Sequence, residues 1–261
     1  MKIFSFLLLF GTLLISSCAL DSGMQFPIEE VNLNDHSEQI HMNSRQGQPL
    51  KVFKAPGFIT IDGIAEEWSD VPPRKMREEL NTGFPIEKKW DLSGTFQMLW
   101  DENHLYFFAT ILDQEINVSG EALFEKDGLE IYIDGDNSKN EAAPGPPIVF
   151  PPPAYDSNDE FIRFVPGIPD PLPAWGIYDV SNISFEILQT ENGYNVEISM
   201  PFSDLPDFPA QPGHEFGLEL QLNDNDGGQR QNFLKWFSGL DHSYYDPSTF
   251  GTAVLFDSVA E

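Results

Sequence analysis

Short apolar runs separated by turn residues dominate the chain from about residue 50 onward. Several of these runs alternate: in 129–134, Leu129, Ile131 and Ile133 take one side and Glu130 the other. This period is typical of β-strands with one face in a core. Strands are predicted at 58–61, 96–100, 105–112, 129–134, 161–165, 183–188, 194–200, 216–222, 232–237 and 251–256. We therefore predict an all-β protein, an antiparallel, jelly-roll-like β-sandwich with minimal helix.

Turn residues indicate how these strands are joined. Residues 101–104 and the pair Asn192-Gly193 each lie between two strand patterns, which predicts two hairpins. Single helical turns are predicted only at 65–69 and 202–205. Proline crowds the stretch 142–174, and because proline cannot donate to a sheet ladder, we predict a long, semi-rigid loop inserted between strands. Such a loop either overhangs a binding face or is a mere insertion.

The first residues have the pattern of an export signal. Lys2 is followed by an apolar run over 3–15 and then by Ser16, Ser17 and Cys18. The run is shorter than the roughly 20 residues of a membrane-spanning helix. Its end resembles the bacterial lipobox, so we predict a lipoprotein signal peptide over residues 1–18 with Cys18 lipidated. An ordinary signal peptide that contains a cysteine is the alternative.

Composition divides the remaining chain into a tether and a folded domain, and the charge excludes one class of partner. The polar stretch 19–49 predicts a flexible tether, which leaves 50–258 as the β-sandwich domain. Aromatic content of 13% is ample for a core. With 14 Lys+Arg against 42 Asp+Glu, the formal charge of −28 excludes nucleic acid as a partner. We expect an exported protein that contacts the bacterial membrane, at the outer membrane, cell surface or periplasmic face, through its lipid anchor only.

Common catalytic signatures are missing from the sequence. It has no Gly-x-Ser-x-Gly elbow, no His-Glu-x-x-His and no Cys-x-x-Cys, and Cys18 is the one cysteine. Paired carboxylates could still support glycoside hydrolysis, so a glycoside-processing enzyme, or a subunit of one, stays open. No catalytic residue is assigned.

Several residues suit a sugar ligand, which needs flat aromatic faces flanked by planar polar groups. Glu130 and Gln221 occupy the polar phase of strands whose apolar phase is core, and Arg230 follows a glycine-containing loop. Phe124 precedes a strand, and Tyr244 lies in a loop. Solvated polar groups and edge packing are the alternative explanation of these residues.

Ordered blocks across the domain match one known family. They are 61–63, Trp68, 99–106, 127–134, 159–161, 222–224, 228–230, Trp236 and 246–251. With these blocks the chain resembles the family 9 carbohydrate-binding modules, xylanase-associated β-sandwiches related to DOMON-like domains. The resemblance implies non-catalytic binding of a polysaccharide or oligosaccharide, in support of glycan capture or degradation with partner hydrolases or a transporter.

The resemblance also implies roles for individual residues. Phe124 and Tyr244 would sandwich the sugar, while Glu130, Gln221 and Arg230 bind its hydroxyls. Asp241 falls where the family has an amide. Phe and Tyr stand where the family has tryptophan, which reduces the stacking area.

Two further expectations follow from the family. No cofactor is required, but the family often carries structural calcium, for which Asp134, Asp136 and Asp224 are candidates. Neither acidic loop fits the EF-hand pattern, and ordinary acidic turns explain them as well. The related DOMON-like domains imply a third function, haem binding, for which Met98, Met200 and His214 are available; buried methionine is also a common core filler.

Overall fold

The structure is a computed structural model that describes residues 48–81, 85–142, 154–176 and 179–258. The predicted signal peptide, Cys18 and nearly all of the predicted tether lie outside the described residues, as does part of the proline-rich stretch. No helix within those ranges has the length and apolar character needed to span a membrane.

Strands dominate the described chain, which has three short 3-10 turns and no α-helix in those ranges. The turns are Leu123–Glu125, Phe202–Asp204 and Pro247–Thr249. The strands are β1 Leu50–Lys54, β2 Arg74–Lys75, β3 Glu78–Asn81, β4 Leu92–Trp100, β5 His104–Asp113, β6 Gly128–Asp134, β7 Asp159–Phe164, β8 Leu172–Trp175, β9 Ser184–Thr190, β10 Gly193–Pro201, β11 Glu215–Asp224, β12 Asn232–Lys235 and β13 Gly251–Phe256.

The strands form one continuous curled sheet in the order β8-β7-β6-β11-β13-β1-β4-β5-β10-β9. Strands β12 and β3 extend from β11, and β2 pairs with β4. Strand β1 runs parallel to both β13 and β4, whereas the other pairs are antiparallel. The predicted all-β sandwich is confirmed, with the correction that its sheet is mixed at β1.

The main core lies between the two halves of this sheet. Leu129, Ile131 and Ile133 of β6 pack in the same apolar cluster as residues of β4, β5, β10 and β11. Burying each such side chain contributes roughly 1.5–3 kcal/mol. Met98 and Met200 belong to this cluster too, as core filler. Because one face of β6 is fixed in the core, Glu130 and Tyr132 must point to the opposite face.

Several predicted elements need correction. The predicted strand at 58–61 is wrong: this segment has no sheet pairing, and the buried carboxylate of Glu197 holds the turn that follows it. Glu197 accepts hydrogen bonds from Asp62 N, Gly63 N and Trp68 Nε1 at 3.0, 2.8 and 2.7 Å. The predicted turn at 202–205 is confirmed as a 3-10 turn, while 65–69 contains only isolated turns. Strands β1, β2, β3 and β8 were not predicted.

The described part of the proline-rich stretch contains two strands. Strand β7 confirms the strand predicted at 161–165, whereas β8 lies where only loop was predicted, so a continuous loop over 142–174 is wrong at these strands. Strand β8 lies at the edge of the sheet and contains Pro173. An edge strand tolerates proline because one side of it has no partner strand.

Candidate functional site

A cavity of about 590 Å³ opens on the outward face of strands β6, β7, β8 and β11. The residues predicted to bind sugar all line it: Phe124, Glu130, Gln221, Arg230, Asp241 and Tyr244. They come from two strands, one 3-10 turn and two loops. The fold therefore brings together side chains separated by more than a hundred positions along the chain.

The register of the sheet places the polar groups in one row. Glu130 on β6 lies directly opposite Arg163 on β7 and opposite Gln221 on β11. Directly opposite residues on neighbouring antiparallel strands point to the same face, with Cβ atoms about 5 Å apart. The row is thus fixed by backbone pairing.

Glu130 is the centre of the hydrogen-bond network. Its Oε1 accepts from Arg163 Nε at 2.6 Å, and its Oε2 accepts from Gln221 Nε2 at 3.0 Å and from the Tyr132 hydroxyl. Burial, followed by the nearby Glu130 charge, raises the pKa of Tyr132 well above 10, so the hydroxyl stays a donor. Glu130 is only 2% exposed, and its orientation is set before any ligand arrives.

The network continues to the two loops. Gln221 Nε2 donates to Asn223 Oδ1 at 2.9 Å, and the same oxygen accepts from Arg230 Nη1 at 3.3 Å. Arg230 Nη2 reaches Asp241 Oδ2 at 3.3 Å. Asp241 is 43% exposed at its side chain, which leaves it open to an incoming hydroxyl.

Aromatic rings form the apolar walls of the cavity. Tyr132 and Phe161 stack at a centroid distance of 4.2 Å and make its floor. Phe124 is 44% exposed at the rim, with the Arg230 guanidinium 5.3 Å from its centroid. Tyr244, partly buried, contacts Tyr245 at 4.7 Å. Neither Phe124 nor Tyr244, the two rings predicted to sandwich the sugar, is buried in the core.

Six further lining residues were not assigned to the site from the sequence: Tyr132, Phe161, Arg163, Ala174, Trp175 and Tyr245. Arg163 stands between Ile162 and Phe164, which pack in the core, so the period of two along β7 could have placed it on the outward face. Trp175 reaches the cavity from β8 and packs edge-on against Tyr155 at 6.0 Å. It stands just after the stretch interpreted as a loop, so no strand pattern pointed to it.

A buried ion pair supports the loop that carries Asp241 and Tyr244. Lys235 and Glu219 are both fully buried, with Nζ 3.8 Å from Oε2. Lys235 donates to Leu240 O at 2.8 Å and to Ser243 Oγ, both within this loop. The loop is therefore tied to the sheet.

Three carboxylates converge near one end of the same sheet. Oxygens of Asp113, Asp224 and Asp226 all lie within 4.8 Å of one another. One buried oxygen of each has no hydrogen-bond partner among the described residues. Burial raises the pKa of Asp113 to about 6 and that of Asp224 to about 7. This set of hard oxygen donors fits a calcium ion.

The structure separates the predicted metal ligands. Asp134 pairs with Gly217 at one end of β11, whereas Asp224 is at the other end of that strand. Seven strand residues span about 23 Å, so Asp224 cannot share an ion with Asp134 and Asp136. Asp134 and Asp136 both accept from Ser138 N at 3.0 Å, as in an acidic turn. Asp134 and Asp136 therefore remain predicted calcium ligands, at a site separate from Asp224.

The third residue predicted for haem lies near Asp136. His214 Nε2 bonds with Gly135 O at 2.8 Å, and its ring packs against Phe208 at 4.6 Å. Met98 and Met200 are buried in the core, and His214 is already in contact with Gly135 and Phe208. These contacts of the described residues do not favour haem binding.

Comparison with known proteins identifies the family. A family model described as "Carbohydrate family 9 binding domain-like" matches residues 61–144 and 178–258. These stretches make up more than half of the chain and contain all six predicted sugar-binding residues. The chain belongs to this carbohydrate-binding family. The predicted membership is confirmed, while Arg163 and Trp175 fall between the matched stretches.

Curated relatives are much longer enzymes. Endo-1,4-beta-xylanase A of Thermoanaerobacterium saccharolyticum is 25% identical over 231 residues, which cover 85% of this chain and 18% of that protein. Endo-1,4-beta-xylanase A of Thermotoga maritima is 28% identical over 244 residues, which cover 92% and 21%. The chain thus spans about a fifth of the length of these relatives.

Solved structures share the fold. A family 9 carbohydrate binding module from Caldicellulosiruptor kristjanssonii in complex with cellotriose has a TM-score of 0.64 at 22% identity, covering 79% of this chain and 94% of that one. A family 9 carbohydrate binding module from the same organism in complex with glucose has a TM-score of 0.64 at 21% identity, covering 81% of this chain and 98% of that one. At this identity the likeness shows the β-sandwich fold.

Proposed function

We propose that this member of family 9 binds the end of an oligosaccharide or polysaccharide in the cavity around Glu130 and does not cleave it. The observation that carries the proposal is the convergence of two partly exposed rings, Phe124 and Tyr244, on a prearranged row of polar groups. Ring faces contact the C–H surfaces of a sugar, and planar side chains exchange hydrogen bonds with its hydroxyls.

The hydrogen-bond pattern supports these roles. Gln221 uses its amide group to donate to Glu130 and Asn223, so its carbonyl oxygen can accept from a sugar hydroxyl. Arg230 and Asp241 can offer a donor and an acceptor side by side. A ligand would meet groups already oriented, which lowers the entropic cost of binding.

The same pattern argues against hydrolysis. Hydrolysis of a glycosidic bond needs one carboxyl group to give a proton and a second to act as base or nucleophile. Glu130 already accepts from three donors, and Asp241 faces Arg230. Both carboxylates are engaged as acceptors, which suits binding and not proton donation.

Calorimetry with glucose and cellotriose tests the proposal. The unmodified protein should bind, and Tyr244→Ala should weaken binding at least tenfold by removing one stacking face. Phe58→Ala is the matched control, because Phe58 is 87% exposed and lies outside the cavity. Equal loss in both variants, or no binding to a broad panel of neutral glycans, would refute the assignment. Release of reducing sugar would favour an enzyme.

We also propose export and lipid anchoring, with neighbouring hydrolases or a transporter as partners. The support is the charged, apolar and small-residue pattern that ends at Cys18. Metabolic labelling with a fatty acid in the native host should mark the protein, and Cys18→Ala should abolish the label. A labelled Cys18→Ala protein would contradict the anchor.

We propose a structural calcium site at Asp113, Asp224 and Asp226. A bound cation would neutralise three buried carboxylates and, by binding only the folded state, raise the Tm. Calcium should raise the Tm of chelator-treated protein, and Asp226→Asn should reduce this shift. Asp179→Asn, at an exposed position elsewhere, is the control. An identical shift in both variants would contradict the site.

A further inference from the structure

A second cleft, of about 800 Å³, is bounded by the start of β1, by β2 and by residues that follow β12. None of the six predicted sugar-binding residues lines it. Of the 14 lysines and arginines in the chain, Arg74, Lys75, Arg77 and Lys139 do. In a chain of formal charge −28, this is a local concentration of positive charge.

Three of these cations are not paired with an acidic side chain in the part of the chain that the structure describes. The side chains of Arg74, Lys75 and Arg77 are exposed, and none forms an ion pair with a described residue. Glu78 and Glu215 also line the cleft, so cations outnumber acids two to one. Surface arginines are well suited to bidentate contacts with a carboxylate.

Lys139 differs from these three because it is partly buried. Its ammonium donates to the carbonyls of Phe250 and Gly251 at 2.5 and 3.0 Å. The fixed positive charge adds to the field of the cleft without leaving its backbone partners. The exposed side chains of Arg74, Lys75 and Arg77 are therefore the cations that a ligand can reach from solvent, and Lys139 is held by the backbone.

Aromatic residues also line the cleft. Trp236 and Phe237 are half-buried, and their rings cover Gly251, where an added Cβ would lie 2.8 Å from the Trp236 ring. A cleft that combines ring surface with unpaired cations meets the two needs of an acidic sugar, an apolar face for the pyranose ring and positive charge for its carboxylate. A polyphosphate or anionic lipid would use the cations but not the rings.

We propose that this cleft is a second glycan site, which binds oligosaccharides that carry uronic-acid carboxylates. The inference takes its ligand class from the proposed function but uses a different cavity. The acidic remainder of the surface repels such a ligand, so local cations are required for it to dock. The first cavity would bind a neutral chain end, and the second an acidic part of the same polymer or of another.

Calorimetry with a trisaccharide of galacturonic acid tests the proposal, with cellotriose as the neutral probe. The triple variant Arg74→Gln, Lys75→Gln, Arg77→Gln should bind the acidic trisaccharide about tenfold more weakly, the effect expected for three partly solvated ion pairs. Its affinity for cellotriose should stay unchanged. The matched control replaces Lys51, Lys88 and Lys89, which are exposed and outside the cleft, and removes the same charge.

The Tyr244→Ala protein separates the two sites. It should keep its affinity for the acidic trisaccharide while losing cellotriose. Loss of both ligands in Tyr244→Ala, or equal weakening by the two triple variants, would overturn the second site. Binding to vesicles of phosphatidylglycerol that depends on Arg74, Lys75 and Arg77, without binding of the trisaccharide, would assign the cleft to lipid instead. Binding of the acidic trisaccharide without any binding of cellotriose would support the second site and refute sugar binding in the first cavity.

Discussion

Replacing Lys235 by methionine should both destabilise the domain and weaken sugar binding. Lys235 and Glu219 form an ion pair in which neither side chain is exposed to solvent. Burial lowers the pKa of Lys235 and raises that of Glu219, while each charge opposes the shift of the other. Methionine keeps much of the side-chain volume and removes only the ammonium, so the change tests the charge and its hydrogen bonds.

The magnitude follows from what is left behind. Glu219 would remain buried without a cation, and Leu240 O would lose its 2.8 Å donor. Removing one partner of a buried pair costs about 3–5 kcal/mol. For a domain of this size, 1 kcal/mol shifts the Tm by roughly 2–4 °C, so we expect a decrease of about 10 °C. Affinity for cellotriose should also fall, because the loop bearing Asp241 and Tyr244 loses its attachment.

Thermal unfolding and calorimetry of three variants check this reasoning. Lys54→Met is the matched control, since Lys54 pairs with Glu102 at 2.5 Å on the open surface and should change the Tm little. Adding Glu219→Gln to Lys235→Met should restore part of the loss by removing the uncompensated charge. Recovery is partial because Ser238 N donates to Glu219 Oε2 at 2.7 Å and an amide NH₂ there cannot accept. If Lys235→Met behaves like Lys54→Met, the ion pair does not support the loop.

Three other changes address the site and the fold. Trp175→Ala should weaken cellotriose binding about fivefold, the value of one aromatic contact, and unchanged calorimetric affinity would remove Trp175 from the site. Arg163→Met should lower affinity by about 2 kcal/mol by releasing Glu130, with Arg163→Lys as partial rescue; equal affinities of the two variants would contradict this. Gly193→Ala should lower the unfolding free energy by about 2 kcal/mol, because Gly193 has φ 143° and an added Cβ would lie 2.2 Å from Ile111 O. Gly57→Ala, in open space, is its control in denaturant unfolding.

Strand alternation made the polar half of the site predictable. Once Leu129, Ile131 and Ile133 are assigned to the core, a period of two sends Glu130 to the other face, and the same logic applies to Gln221 on β11. The structure places both side chains in one cavity. Single-strand patterns do not give register, however, so the alignment of Glu130 with Arg163 could not be read from the sequence.

Other parts of the fold depend on contacts that no local pattern encodes. Strand β1 is parallel to both neighbours, and parallel pairing brings together residues about fifty and two hundred positions apart. Asp113 joins Asp224 and Asp226 only because the ends of β5 and β11 meet. The segment 58–61 has the composition of a strand but no sheet pairing, and the backbone of the turn that follows it, at Asp62 and Gly63, donates to Glu197. Tertiary context overrode local propensity in each case.

The prearranged network has a consequence for ligand selectivity. The hydrogen bonds that join Arg163, Glu130 and Gln221 exist before a sugar arrives, so a ligand gains affinity from hydroxyls that fit the remaining donors and acceptors and from the rings of Phe124 and Tyr244. A sugar lacking one matching hydroxyl leaves a polar group of the site unpaired, a cost of about 1–3 kcal/mol. Phe and Tyr offer a smaller stacking area than tryptophan, which lowers the affinity for every sugar equally. Discrimination between sugars should therefore rest on the polar row, and overall affinity on the rings.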